Sequence, residues 1–433
     1  MCKGEAFAVD QAIDGIASMA NASPLRYGSH RCYEGEAFAV DQAIDGIAPM
    51  ANASPLHYGS HLWRMLRPYV MDGYRFTRFS AFGATAVLPL LGAAAGGGQV
   101  GWAVVGKLLV VAACFHGFAY ITNDLVDLAV DRRHPMRQSY PLVRGAIRPW
   151  QALLSGLALL TLAFGVDMTD GRSMILRPGT DTTGGRSIML GMMPFMSGII
   201  PSIMLRPYYV LAAAFGLMTA YNLWGKRCPL PPLTDLAQGL GWAALLLWGA
   251  LASGGALTPL ALALAAHEIT LIMLINGLHG GLRDLASDAA GGARTTALWL
   301  GARPTAGGGA QLSRLLLSYG LAWQGLALAA LLLPLALNWP GYSLLTWWLT
   351  AAALLGLAGV VGWAAGQARA TGEQGAMIAL GMVHLTAVLS APIALAAGLM
   401  SGPLLVATLL AHLVPLLANG MTYAALRWMI RKR

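Results

Sequence analysis

The chain has 433 residues, of which 11% are charged and 57% apolar, with a formal net charge of +9 and a mean hydropathy of +0.59. Soluble domains carry about 25% charged residues, so the composition excludes a soluble globule, and the apolar content excludes a disordered chain. The four cysteines, Cys2, Cys32, Cys114 and Cys228, show no CxxC spacing, which argues against a disulfide framework or a zinc cluster and leaves a polytopic membrane protein.

Residues 1–62 stand apart as an N-terminal extension. Residues 4–30 recur at 35–61 with only Ser18 replaced by Pro49 and Arg26 by His57. Two copies do not make a stacked repeat architecture, which needs about three or more units. Val9, Ile13, Ile16 and Ala20 fall on one face of a short helix. No long apolar core follows a positive segment, so the stretch does not read as a signal peptide. It reads as an extension dispensable for the fold, with docking to a partner or to a membrane surface as the second reading.

The remainder, 63–433, alternates apolar stretches with short polar connections. A helix rising 1.5 Å per residue needs about 20 apolar residues to cross a bilayer. Ten stretches approach or exceed that length: 76–93, 101–122, 149–166, 208–224, 235–253, 257–282, 312–336, 343–366, 375–398 and 403–424. Most are rich in Leu, Ala and Gly, and small residues let helices approach closely in lipid.

The connections sort by charge. Arg64, Arg67, Arg75 and Arg78 precede the first span; Arg132, Arg133, Arg137, Arg144 and Arg148 follow the second. Lys226 and Arg227 follow the fourth, and Arg283, Arg294, Arg303 and Arg314 the sixth. Arg369 follows the eighth, and Arg427, Arg431, Lys432 and Arg433 the tenth. The loops after spans one, five, seven and nine carry no Lys or Arg. This positive-inside pattern predicts that both termini and the loops after even-numbered spans are cytoplasmic. The basic charge therefore orients the chain, and nucleic acid is not expected as a partner. The Ala, Gly and Arg bias points to a bacterial cytoplasmic membrane.

One connection breaks the pattern. The stretch 167–207 places Arg172, Arg177, Arg186 and Arg206 on the expected outer side. Within it, Gly171-Arg-Ser-Met returns as Gly185-Arg-Ser-Ile, and Ile175-Leu-Arg-Pro as Met204-Leu-Arg-Pro. It reads as an insertion without assignable chemistry.

The acids cluster. The second span ends in Asn123-Asp124-Leu-Val-Asp127-Leu-Ala-Val-Asp131-Arg-Arg. In a helix Asp124, Asp127 and Asp131 stand at i, i+3 and i+7 and share a face. Like charges on one stripe repel unless something positive lies among them. All-oxygen donors suit a hard divalent cation, and Mg²⁺ commonly shares such carboxylates with a substrate phosphate. After the sixth span come Arg283-Asp284-Leu-Ala-Ser-Asp288 and then Gly292, Arg294 and Thr295. The fourth span ends in Tyr221-Asn222-Leu-Trp-Gly-Lys226-Arg227. All three caps fall on one membrane face. Acids for a metal beside Lys and Arg for an anion are what binding a diphosphate requires.

Each feature has a blander reading. A lone DxxxD beside arginines is usually a salt-bridged helix end. Tyr221 and Asn222 could anchor an interface, and Lys226 and Arg227 could be orientation charges. His116 and His279, on apolar helices, are expected to bond a neighbouring helix. Glu268 lies within a span, where a carboxylate is costly and counts as a functional candidate, with His267 or Lys107 as pairing partners. It is left out of the site.

The run Asn123-Asp-x-x-Asp127-x-x-x-Asp131, followed by Pro141-Leu142 and Gly145, resembles the first aspartate-rich motif of the UbiA superfamily of intramembrane prenyltransferases. Asp284-x-x-x-Asp288 with Gly292 and Thr295 resembles the second motif, and Tyr221 to Lys226–Arg227 the tyrosine–lysine motif between them. The resemblance implies an all-α bundle of about 9–10 transmembrane helices around a central cavity capped by the aspartate motifs. It also implies Mg²⁺-dependent transfer of a prenyl group from a prenyl diphosphate to a lipophilic, often aromatic acceptor. Asn123, Asp124, Asp127, Asp131, Asp284 and Asp288 would ligand Mg²⁺. Lys226, Arg227, Arg294 and Arg137 would neutralise the diphosphate, and Tyr221 would stand near the allylic carbon or the diphosphate. One departure is Tyr140, where family members commonly carry Arg before Pro-Leu. Two other readings stay open: a cyclase of the same superfamily that needs no acceptor, and a cation transporter with the acids along its pathway.

Overall fold

The computed structural model describes residues 72–98, 100–132, 137–169, 207–305, 309–337 and 388–417. The duplicated N-terminal extension, residues 170–206 of the insertion and the eighth expected span lie outside these residues.

The described chain is helical except for one two-residue ladder, Arg303–Pro304 against Ala310–Gln311. The helices are α1 (Phe82–Ala95), α2 (Trp102–Val126), α3 (Leu128–Asp131), α4 (Pro149–Thr169), α5 (Pro207–Trp224) and α6 (Pro231–Ala252). There follow α7 (Pro259–Leu274), α8 (Leu285–Gly291), α9 (Thr296–Trp299), α10 (Arg314–Ala336), α11 (Val388–Leu399) and α12 (Gly402–Leu417). A π-turn, Ile275–Gly280, prolongs α7 as far as Arg283. Among the described residues 5 helices are long and apolar enough to cross a membrane. This is the all-α polytopic bundle expected from the hydropathy pattern.

Helix α1 runs through the middle of the core. Residues Gly83 and Thr85 to Ala95 are all buried, with α6 on one side and α2 and α12 on others. Lipid tails are as apolar as leucine, so helices associate in a bilayer through close packing rather than the hydrophobic effect. Two glycines supply that closeness. A Cβ on Gly92 would stand 1.8 Å from the Leu246 carbonyl oxygen, and one on Gly249 2.2 Å from that of Pro89. The α1 and α6 backbones therefore touch, and Gly249→Ala is expected to force them apart. Overpacking of this kind costs about 1–3 kcal/mol, and thermal unfolding in detergent would read it as a lower Tm. Helices α4 and α10 form the rim. Leu153, Leu154, Leu157 and Leu162 on one, and Leu315, Leu321 and Leu326 on the other, are exposed, as lipid-facing residues should be.

Two expected boundaries move. Hydropathy starts the first span at residue 76, but α1 begins only at Phe82. Arg78 takes the left-handed conformation (φ 48°), and a 3₁₀ turn, Phe79–Ala81, follows it. Composition starts the insertion at residue 167, but α4 continues to Thr169. Asp167 is fully buried in that last turn, 3.4 Å from the Lys107 ammonium, and accepts a hydrogen bond of 3.1 Å from the Trp248 indole. Lys107 is thus engaged by Asp167, and Glu268 lies buried in α7. His116 behaves as expected for a satisfied core histidine, with Thr85 Oγ1 at 2.8 Å and the Arg78 carbonyl at 3.2 Å.

Candidate active site

The first motif straddles a break in the helix. α2 ends at Val126, Asp127 caps it, and α3 carries the motif on to Asp131. Hydrogen bonds of 2.9 Å from Asp127 N–H to the Asn123 carbonyl and from Asp131 N–H to the Asp127 carbonyl continue across the break. Asp124, Asp127 and Asp131 are all buried. Asn123 contributes its backbone carbonyl here.

Buried carboxylates need partners, because removing a charge from water is costly unless it is paired. Each of the three has a different cation. Arg78 pairs with Asp124, Lys226 Nζ lies 3.1 Å from Asp127 Oδ2, and Arg137 donates to Asp131 over 2.9 Å. Arg78 is a site residue that the motif pattern does not single out. Its left-handed backbone ends the N-terminal segment at the motif, and its guanidinium lies 5.1 Å from the Tyr120 ring centre and 5.9 Å from that of Tyr140. Arg137 lies 5.7 Å from the Tyr140 ring as well. The departure at position 140 therefore resolves: the tyrosine is a platform that gathers two guanidiniums from elsewhere in the chain, through the attraction of a cation for an aromatic face. Arg144 takes no part, being paired with Asp72.

The second motif sits on α8. Asp284 joins the end of the α7 extension to α8, and Asp288 lies one turn on, its N–H bonded to the Asp284 carbonyl at 2.9 Å. Gly292 closes the helix with φ 68°, a left-handed cap that favours glycine. Asp284 pairs with Arg283 at 2.9 Å. Burial raises the Asp284 carboxyl, but the Arg283 hydrogen bond and charge outweigh it and hold the group below the usual range. Burial pushes Asp288 up to about 6, even with the Lys226 charge opposing the shift.

The two motifs meet at Lys226. Its ammonium stands 3.1 Å from Asp127 and 3.7 Å from Asp288. Burial lowers the ammonium's proton affinity, but the two carboxylates more than restore it, so the group is held above its ordinary value and stays charged. Asp131, Arg137, Lys226, Asp284 and Asp288 line one small cleft with Val130 and Ser287. Tyr221 lies within electrostatic reach of Asp127 and Asp288. Its neighbour Asn222 holds the bundle together, donating to the Ala119 carbonyl at 2.9 Å and to Thr122 Oγ1 at 2.6 Å, and so pins α5 to α2. Arg294 is exposed and reaches the cluster through its backbone, N–H to the Lys226 carbonyl at 3.0 Å. Arg227 is exposed and pairs with no carboxylate among the described residues.

Residues 84–170, which include the whole first motif, match the UbiA prenyltransferase family. Over that stretch the chain is similar to the UbiA family. Solved structures are similar to the chain at low identity. The structure of a digeranylgeranylglyceryl phosphate synthase superposes with a TM-score of 0.51 and 12% identity, over 76% of this chain and 98% of that one. An apo UbiA homologue from Aeropyrum pernix K1 gives 0.49 and 16%, over 73% and 96%. A UbiA homologue from Archaeoglobus fulgidus bound to GPP and Mg²⁺ gives 0.39 and 18%, over 60% and 76%. No curated protein matches the chain in sequence.

The cleft suits a cation. Lys226 shows that it accepts a positive charge between one carboxylate from each motif, and every acidic donor is an oxygen. Among the described residues no three Asp, Glu, His or Cys side chains converge to hold a metal by themselves. Mg²⁺ usually takes one or two carboxylates and completes its shell with water and substrate phosphate, so the carboxylates on either side of Lys226 are a donor set of the kind it uses.

Proposed function

We propose that this protein is a Mg²⁺-dependent prenyltransferase that moves a prenyl group from a prenyl diphosphate to a lipophilic, aromatic acceptor within the membrane. The observation that carries the reading is Lys226 between Asp127 and Asp288, which joins both aspartate motifs in one buried, mixed-charge cleft. In this reading Asn123, Asp124, Asp127, Asp131, Asp284 and Asp288 supply the metal ligands, and bound Mg²⁺ stabilises the charge that develops on the departing diphosphate. Lys226, Arg137, Arg227 and Arg294 receive the same charge from the protein side. Preformed cations in a water-poor site are worth far more than in bulk solvent. Tyr221 would stand near the allylic carbon or the diphosphate. As the allylic C–O bond breaks, the apolar bundle below the cleft holds the prenyl tail and excludes water. The acceptor then forms the new bond and releases its proton. The basic loops support a reading in which the cleft and both termini face the cytoplasm of a bacterial cell.

The test is diphosphate release by detergent-purified protein given Mg²⁺ and prenyl diphosphates of increasing length. Each is tried alone and with aromatic acids, phenols and quinols. Release that needs both Mg²⁺ and an acceptor is the expected result. A cyclised hydrocarbon formed without acceptor would replace the transferase with a cyclase. Absence of release under every condition, with metal flux in reconstituted vesicles, would replace both with a transporter.

A further inference from the structure

The second motif is one short helix, α8, between two connections, and such a helix has little stability of its own. Something must hold it against the first motif. Three contacts converge on the segment C-terminal to it. The Arg294 N–H bonds the Lys226 carbonyl at 3.0 Å. Ala297, at the start of α9, packs on Gly281 so closely that a Cβ at residue 281 would stand 2.9 Å from the Ala297 Cβ. Between these two, the buried Thr296 hydroxyl donates to Asp235 Oδ2.

Asp235 lies in the first turns of α6, buried, away from the aspartate motifs in sequence. Gln238, one turn along α6, accepts from the side chain of Asn276 in the π-turn at the end of α7. Asn276 precedes Asp284 by eight residues and Thr296 lies eight residues beyond Asp288. The first turns of α6 thus hold the chain on both sides of the second motif, Gln238 before it and Asp235 after it. The π-turn contributes to this arrangement, since the extra residue in its wider turn rotates the chain beyond it relative to α7.

We infer that Asp235 is the positioning residue of the second aspartate motif: through Thr296 it fixes the segment that follows α8, and through the Arg294–Lys226 link the ammonium between the motifs. Its carboxylate acts through that hydroxyl rather than on the substrate. A buried carboxylate with a side-chain donor is satisfied in place, and removing it leaves the buried Thr296 hydroxyl unpaired.

The test has a structural and a kinetic arm, and only the kinetic arm rests on the prenyltransferase reading. Amide hydrogen exchange of the full-length protein in detergent, with Asp235→Ala, is expected to accelerate across 284–299 while α1, α2 and α4 keep wild-type protection. Thr296→Val, which keeps the shape and removes the hydroxyl, is expected to do the same, and the double variant to be no worse than Asp235→Ala alone. In the diphosphate-release assay, the KM for prenyl diphosphate is expected to rise about tenfold, the size of a lost hydrogen bond to a charged group, with a smaller fall in kcat. Asp235→Asn, which retains an acceptor for Thr296, is expected to restore most of the protection and of the KM. Wild-type exchange over 284–299 in Thr296→Val, or losses that add in the double variant, would overturn the inference. Inactivity of the wild-type enzyme would instead count against the functional reading, leaving the exchange result to decide this one.

Discussion

Lys226→Met is expected to reduce diphosphate release by about a hundredfold to a thousandfold, the range seen when one charge-stabilising donor is removed from an active site. Methionine preserves much of the side-chain length and removes the ammonium that stands between Asp127 and Asp288. The same geometry has two effects. The transition state loses a cation beside the departing diphosphate. The resting protein is left with two buried carboxylates facing a vacated charge, and breaking a buried pair by deleting one partner costs more than the pair's own net worth. Asp288 supplies an internal check. Burial pushes it up to about 6, and the Lys226 charge restrains that rise. Without the ammonium the group must move higher, so the acidic limb of the pH–rate profile is expected to shift to higher pH in the variant. Added Mg²⁺ should stabilise the variant against heat more than it stabilises the wild type, because the metal then supplies the only cation between the two carboxylates. Wild-type release, or an acidic limb that stays in place, would show that Lys226 merely orients the loop.

Much of this is legible in the residues. Hydropathy locates the helices because a bilayer admits few alternatives: backbone polar groups must be satisfied within the segment, so a long apolar run becomes a helix. The parity of the spans then puts the three polar caps on one face, and the structure brings Asp131, Lys226, Asp284 and Asp288 into one cleft. Spacing also anticipates the shared stripe of the first motif, although the break at Asp127 is not visible in it, since no proline or glycine marks it.

The features that escape such a reading have a common cause. Arg78 looks like an orientation charge alone, because its role depends on a left-handed backbone that sequence does not announce for arginine, and on a partner 46 residues away. Tyr140 looks like a missing arginine, whereas its ring collects Arg78 and Arg137. Asp235 lies at the head of an apolar span with no motif around it, and the hydroxyl that donates to it comes from 61 residues further along the chain. A signal exists: a carboxylate in the first turns of a membrane helix is expensive, and the chain has only 19 acids. Lys226 is recognisable among the cations, but that it spans both motifs is a fact of packing.

Asp124→Ala and Asp284→Ala are both expected to abolish measurable diphosphate release, and they should differ in everything else. Asp124 is buried at the end of α2 and carries the Arg78 pair. Its removal strands a guanidinium that is already committed to the Tyr120 and Tyr140 rings, so the variant should lose thermal stability together with activity. Arg78→Ala approaches the same defect from the other side. It is expected to cost about a hundredfold or more in release, and the Arg78→Ala, Asp124→Ala double variant should be more stable than Asp124→Ala, because apolar groups then replace both members of a buried pair. Asp284 is half-buried and its partner Arg283 is exposed. Solvent can rehydrate that arginine, so Asp284→Ala should unfold within a few degrees of wild type while remaining inactive. Thermal unfolding of the four variants, read beside release of diphosphate, separates the two carboxylates: Asp124 is expected to act as strut as well as proposed ligand, and Asp284 as proposed ligand alone. Full activity in either single aspartate variant would remove the diphosphate chemistry from this cleft.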